Sequence, residues 1–128
     1  MSQGYIAFNL TAASKEAVLN CFPPKFEEVR ADHITFEFGV PADAILPALG
    51  PVEVVAYVCD SSLEALIVSV NGATARPDGS IFHLTLSRSA GRKSSESNAL
   101  AQNKTLWQPV VALRLEVTVA LNWSSQLI

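Results

Sequence analysis

Two short segments of the chain repeat one pattern, His, aliphatic, Thr, large apolar: His33-Ile34-Thr35-Phe36 and His83-Leu84-Thr85-Leu86. They contain both histidines of the chain. Six of the 128 residues are Thr, so composition alone would place a Thr two positions after both histidines about 0.2 % of the time. Each segment lies in an alternating run, His33–Val40 (HITFEFGV) and Ile81–Ser87 (IFHLTLS), which predicts a strand with one face on a core. Residues two apart on a strand share a face. His33 therefore projects with Thr35, and His83 with Thr85, while Ile34, Phe36, Leu84 and Leu86 point back into the interior. The fold must present two equivalent, core-anchored strands, each showing a His/Thr pair.

The remaining pattern predicts strands interleaved with short helices. Tyr5–Leu10 reads as a strand. Ala12, Ala13, Ala17, Val18 and Cys21 recur at helical spacing over 11–22, with Thr11 or Ser14 as N-cap and Pro23-Pro24 as the stop. Residues 41–50 suit only a short helical turn, interrupted at Pro47. Val52–Cys59 and Leu63–Val70 form an expected antiparallel pair across Asp60-Ser61-Ser62, followed by turns at Asn71-Gly72 and Pro77-Asp78-Gly79. Ser95–Asn103 is a polar helix candidate capped by Ser94 or Ser95. Val110–Asn122 reads as one long strand with Val111, Leu113, Leu115, Val117, Val119 and Leu121 on one face. The fold class expected is α+β. A length of 128 residues suits one domain, and 49 % hydrophobic against 16 % charged residues excludes a disordered or coiled-coil chain. Phe8, Phe36 and Phe82 belong to the expected core.

Charge narrows the partners. Nine Lys and Arg against twelve Asp and Glu leave a net charge of −3, and the only local basic cluster is Arg88, Arg92 and Lys93. A protein that grips duplex nucleic acid needs a basic stripe, so no long duplex partner is expected. No apolar run approaches the roughly 20 residues of a membrane span, and residues 1–6 lack a basic-then-apolar leader. No membrane partner is expected, and a cytoplasmic location is. Cys21 and Cys59 form no CxxC and read as small core residues in a reduced setting. No metal-ligand pattern or cofactor fingerprint stands in the sequence, so neither a metal nor a cofactor is expected.

Two imidazoles near neutrality can serve as one neutral base and one protonated acid. Each Thr hydroxyl can donate to a non-bridging phosphate oxygen, where charge builds in the transition state. The duplicated His-x-Thr pattern resembles the signature of the two-histidine (2H) phosphoesterase superfamily, and the order of elements around both motifs is similar too. The resemblance implies a bilobal, pseudo-two-fold α+β fold whose two motif strands line a central cleft, with helices outside. It also implies catalytic roles for His33, Thr35, His83 and Thr85 in a metal-independent phosphodiesterase. The acidic balance favours a small nucleotide over long RNA. A cyclic oligonucleotide signal is the favoured substrate, as for compact phage-encoded members that destroy such signals; that comparison points to a phage origin and so to a host cytoplasm. A 2′,3′-cyclic phosphate on an RNA end or mononucleotide is the alternative, and a non-catalytic protein that sequesters a nucleotide is a third reading.

Five further residues are candidate substrate contacts, each with a plainer structural role beside it. Tyr5 could stack on a base or pack at the rim. Glu37 and Ser87 share the histidine faces by strand parity. Arg88 lies in the Ser/Gly-rich stretch SRSAGRKSS, where it could close over a nucleotide or face solvent. Trp107 could stack on a base or pack beside the last strand.

Overall fold

A computed structural model of the chain describes residues 4–41, 43–48 and 50–123. Eight strands form one antiparallel sheet: β1 (Gly4–Leu10), β2 (Glu28–Val29), β3 (His33–Val40), β4 (Val52–Cys59), β5 (Leu63–Val70), β6 (His83–Arg88), β7 (Gln108–Arg114) and β8 (Val117–Trp123). The helices are α1 (Ala12–Cys21) and α2 (Ser97–Gln102). The chain is α+β, as its pattern predicts. None of these helices is long and apolar enough to cross a membrane.

Local chemistry sets most element ends. Thr11 is extended, and its Oγ1 accepts the Ser14 N–H at 3.2 Å, capping α1. Asn71 and Gly72 both have positive φ and turn the chain after β5 as their side chains allow. Two expectations change. Among the described residues of 41–50 there is one turn, closed by Ala44 N–H on the Pro41 carbonyl, and no helix. The second helix is shorter than 95–103: Ser94–Glu96 forms a 3₁₀ turn, where the Glu96 carboxylate accepts the Lys93 N–H at 2.7 Å, and α2 starts at Ser97. Its Leu100 and Ala101 are buried, so it is pinned to the sheet rather than polar throughout.

The sheet order is β7-β4-β5-β6-β3-β1-β8, with β2 beside β6. The expected single strand over 110–122 is therefore two strands at opposite edges. Leu115 N–H donates to the Val52 carbonyl at the start of β4, while the Glu116 carbonyl accepts from Thr11 N–H at the end of β1. Glu116 N–H is taken by Ser14 Oγ of α1 at 2.7 Å. The sheet thus curls until its two edges are joined by two consecutive residues. The shared face is interrupted as well: the β4–β7 register slips between Val54 and Ala56, and Val111 is left 94 % exposed.

The centre of the sheet is two β strands meeting at Ile34 opposite Leu84. The flanking strands repeat on either side. β1 pairs β3 with Ala7 opposite Thr35, and β5 pairs β6 with Ala65 opposite Thr85. Ile34, Leu84, Phe8, Leu66 and Phe82 are buried in one cluster. Phe36 packs between Phe8 and Phe82, with ring centroids 5.4 and 5.9 Å apart. The cysteines depart from expectation: Cys21, in the last turn of α1, is exposed and Cys59 is half-buried. Cys59 alternates with the inward Val58 on β4, whereas Cys21 shares the face of Ser14 and Val18 but is the last residue of α1.

Candidate active site

His33, Thr35, His83 and Thr85 line one pocket of about 740 Å³. The Ile34–Leu84 pairing explains why. It is the midpoint of both His-x-Thr segments, so antiparallel pairing there sets the two motifs symmetrically about one point. The apolar residues of each motif anchor below while the His/Thr pairs share the other face.

Both strands then bulge at the same place. β3 carries an extra residue against β1 between Thr35 and Glu37, and β6 carries one against β5 between Thr85 and Ser87. A bulge reverses the side-chain alternation beyond it. Phe38 and Arg88 consequently line the pocket, in place of Glu37 and Ser87. Ser87 is fully buried; its Oγ donates to the Glu64 carboxylate and accepts the Phe26 N–H at 3.2 Å. Glu64 is also held by Tyr57 OH at 2.5 Å and Lys25 N–H at 2.8 Å. Burial, together with that carboxylate, pushes the Tyr57 phenol well above its ordinary value.

The other expected contacts divide. Arg88 reaches the pocket and is steadied by an ion pair with Glu28 at 3.2 Å. Tyr5 stands behind His33, ring centroids 5.9 Å apart, and also touches Phe38. Trp107 does not line the pocket; its Nε1–H donates to the Ala101 carbonyl at 2.9 Å and it packs on the cluster beneath α2. Arg92 is also taken elsewhere, in a two-pronged pair with Asp60 at 3.0 Å, so the loop after the second motif is tethered rather than free to close as a lid.

Several pocket residues were not singled out by the sequence. Arg30 and Arg76 join Arg88 and Lys93, two members of the expected basic cluster, in making the lining basic, with Asp32 the acidic lining residue, in a chain of net charge −3. Arg30 and Arg76 come from separate stretches, so no local run of basic residues announces them. The one local signal is Arg76 directly before the Pro77-Asp78-Gly79 turn. α2 supplies two polar supports: Ser97 Oγ lies 2.8 Å from Thr85 Oγ1, and Asn98 Oδ1 accepts from Arg76 Nη1 at 3.3 Å.

The two imidazoles differ. His83 is 7 % exposed, and its Nδ1 lies 3.0 Å from the Ile81 carbonyl. A carbonyl only accepts, so Nδ1 carries the proton and Nε2 keeps its lone pair. Burial pushes His83 down to about 4, opposed by that carbonyl and reinforced by Arg76 and His33. His33 is also lowered by burial, but the neighbouring Asp32 carboxylate opposes the shift. Among the described residues no three of His, Cys, Asp and Glu gather as metal ligands. No family model matches the chain, and neither a curated protein nor a solved structure is found to be similar to it.

Proposed function

We propose that this chain is a phosphodiesterase of the two-histidine type, cleaving a small nucleotide by paired acid–base catalysis. The observation that carries the reading is the convergence of both His-x-Thr pairs, fifty residues apart in sequence, on one basic pocket. The bilobal, pseudo-two-fold arrangement of that family belongs to the same reading. It is supported by the matching registers, bulges and facing alanines around β3 and β6.

In the reaction, the neutral imidazole takes the proton of a 2′-hydroxyl as its oxygen bonds to phosphorus. The protonated imidazole gives its proton to the departing 5′-oxygen as that P–O bond breaks. Thr35 and Thr85 donate to the non-bridging oxygens. The products are a 2′,3′-cyclic phosphate and a 5′-hydroxyl. With a 2′,3′-cyclic substrate, water takes the nucleophile's place and the proton roles reverse.

A pocket of this volume is in the range for small ligands, and its cations sit in an otherwise acidic protein. Both facts favour a small anionic nucleotide, a cyclic oligonucleotide signal foremost, over long RNA. The test is turnover in excess EDTA of 2′,3′-cyclic mononucleotides, cyclic di- and trinucleotides and a short RNA, with products identified by mass spectrometry. The expected result is cleavage of one class, abolished in His33→Ala/His83→Ala. Tight binding of one member without cleavage would make the protein a sequestering one and end the acid–base reading.

A further inference from the structure

Arg76 is 5 % exposed and lines the pocket, yet no carboxylate pairs with it among the described residues. Its Nη1 donates to Ser80 Oγ at 3.2 Å and Asn98 Oδ1 at 3.3 Å. Asn98 is itself fixed, its Nδ2 donating to the Ser95 carbonyl at 3.1 Å. The guanidinium carbon sits 5.7 Å over the Phe38 ring. The opposite edge is unsatisfied. Nε is buried with no partner. Nη2 lies 3.5 Å from His83 Nδ1, but that nitrogen already carries a proton for the Ile81 carbonyl and cannot accept another. Asp78 offsets the charge only from the Nη1 side, through Ser80 Oγ, which donates to Asp78 Oδ1 at 2.6 Å. A buried Nε without a partner is still costly, and Nε with Nη2 forms the fork that takes two oxygens of a phosphate.

We propose that Arg76 is a preformed phosphate-binding residue, and that its one-sided position divides the labour, with His83 as base and His33 as acid. The second part rests on the phosphodiesterase reading; the first does not. An imidazolium at His83 would face the guanidinium 3.5 Å away, whereas at His33 the Asp32 carboxylate, itself paired with Lys15 at 2.7 Å, outweighs the repulsion from Arg76. The position equivalent to Arg76, seven residues before His33, is Phe26, so the duplicated pattern does not repeat this arginine. The ionisable groups acting on His83 are Arg76 and His33, with Arg30, Asp32, Arg88 and Lys93 lining the same pocket.

Because the chain has two histidines, its imidazole proton resonances give two titration curves, assigned with His33→Ala. Inorganic phosphate added to the wild-type protein should shift the His83 resonance. Arg76→Gln should weaken phosphate binding at least tenfold and raise the His83 midpoint more than that of His33. Arg76→Lys, a point charge without the fork, should fall between, and it keeps the test decisive if the Gln variant does not fold. Equal phosphate affinity in wild type and a folded Arg76 variant would overturn the phosphate site. In a protein that turns over, Arg76→Gln should lower kcat/KM about 100-fold and move its acidic limb upward; an unmoved limb would overturn the assignment of roles. Phosphate binding through Arg76 in a protein that cleaves no nucleotide would remove the phosphodiesterase reading and leave the binding site standing.

Discussion

At the scale of single residues, the site is two side chains of one type in unlike surroundings. His83 ionises near 4 when folded and near 6.5 when unfolded. Between those values the unfolded chain binds the extra proton, so the stability this site contributes is complete above 6.5 and lost as pH falls through 4. Urea unfolding at pH 7 and pH 4 should show His83 accounting for about 3 kcal/mol of that loss, a component absent in His83→Gln. In the proposed reaction, the pH dependence of activity has the same origin. The kcat/KM profile, which reports the free protein, should rise through about 4 as His83 becomes neutral. It should fall again below 6.5 as His33, also lowered by burial, loses its proton. An optimum at alkaline pH would contradict this. Ser97→Ala removes the partner of Thr85 Oγ1 and should reduce kcat roughly tenfold with little change in melting temperature, a loss of about 1.4 kcal/mol in transition-state stabilisation.

The His/Thr pairs were legible because strand parity holds within three residues. Glu37 and Ser87 lie just beyond that span, where one extra residue in each strand reverses the parity. Nothing in the local composition marks a bulge at Phe36 or Leu86, so Phe38 and Arg88 could not be read in their place. Arg76 was hidden for another reason. Its importance comes from burial and from the Nε left without a partner, both properties of the folded chain.

At the scale of elements, strand identity followed from alternation and turn residues, but continuity did not. Val110–Asn122 has an unbroken apolar rhythm, and only tertiary hydrogen bonds from Val52, Thr11 and Ser14 show that it changes edges at Leu115 and Glu116. α2 is the reverse case: short and polar in sequence, it is held by Leu100 and Ala101 against the β4–β5 side of the sheet. Leu100→Ala should cost about 2–4 kcal/mol in urea unfolding. Because α2 also carries Ser97 and Asn98, the same variant should lose activity at temperatures where it remains folded.

At the scale of the whole molecule, the sheet brings sequence-distant halves together by pairing β3 with β6 at its centre and closing its edges through β7 and β8. The curl concentrates basic side chains on one face of a chain whose total charge is negative. Two sites on such a sheet could act separately; two halves of one site cannot. The most direct measurement is turnover in EDTA, on whichever phosphodiester the wild type cleaves, for wild type, His33→Ala, His83→Ala and the double variant. If one step uses both imidazoles, each single substitution should lower kcat by roughly 100- to 10,000-fold, and the double variant should be scarcely worse than either single. Losses that multiply in the double variant, or a single variant that keeps full activity, would contradict a shared acid–base site.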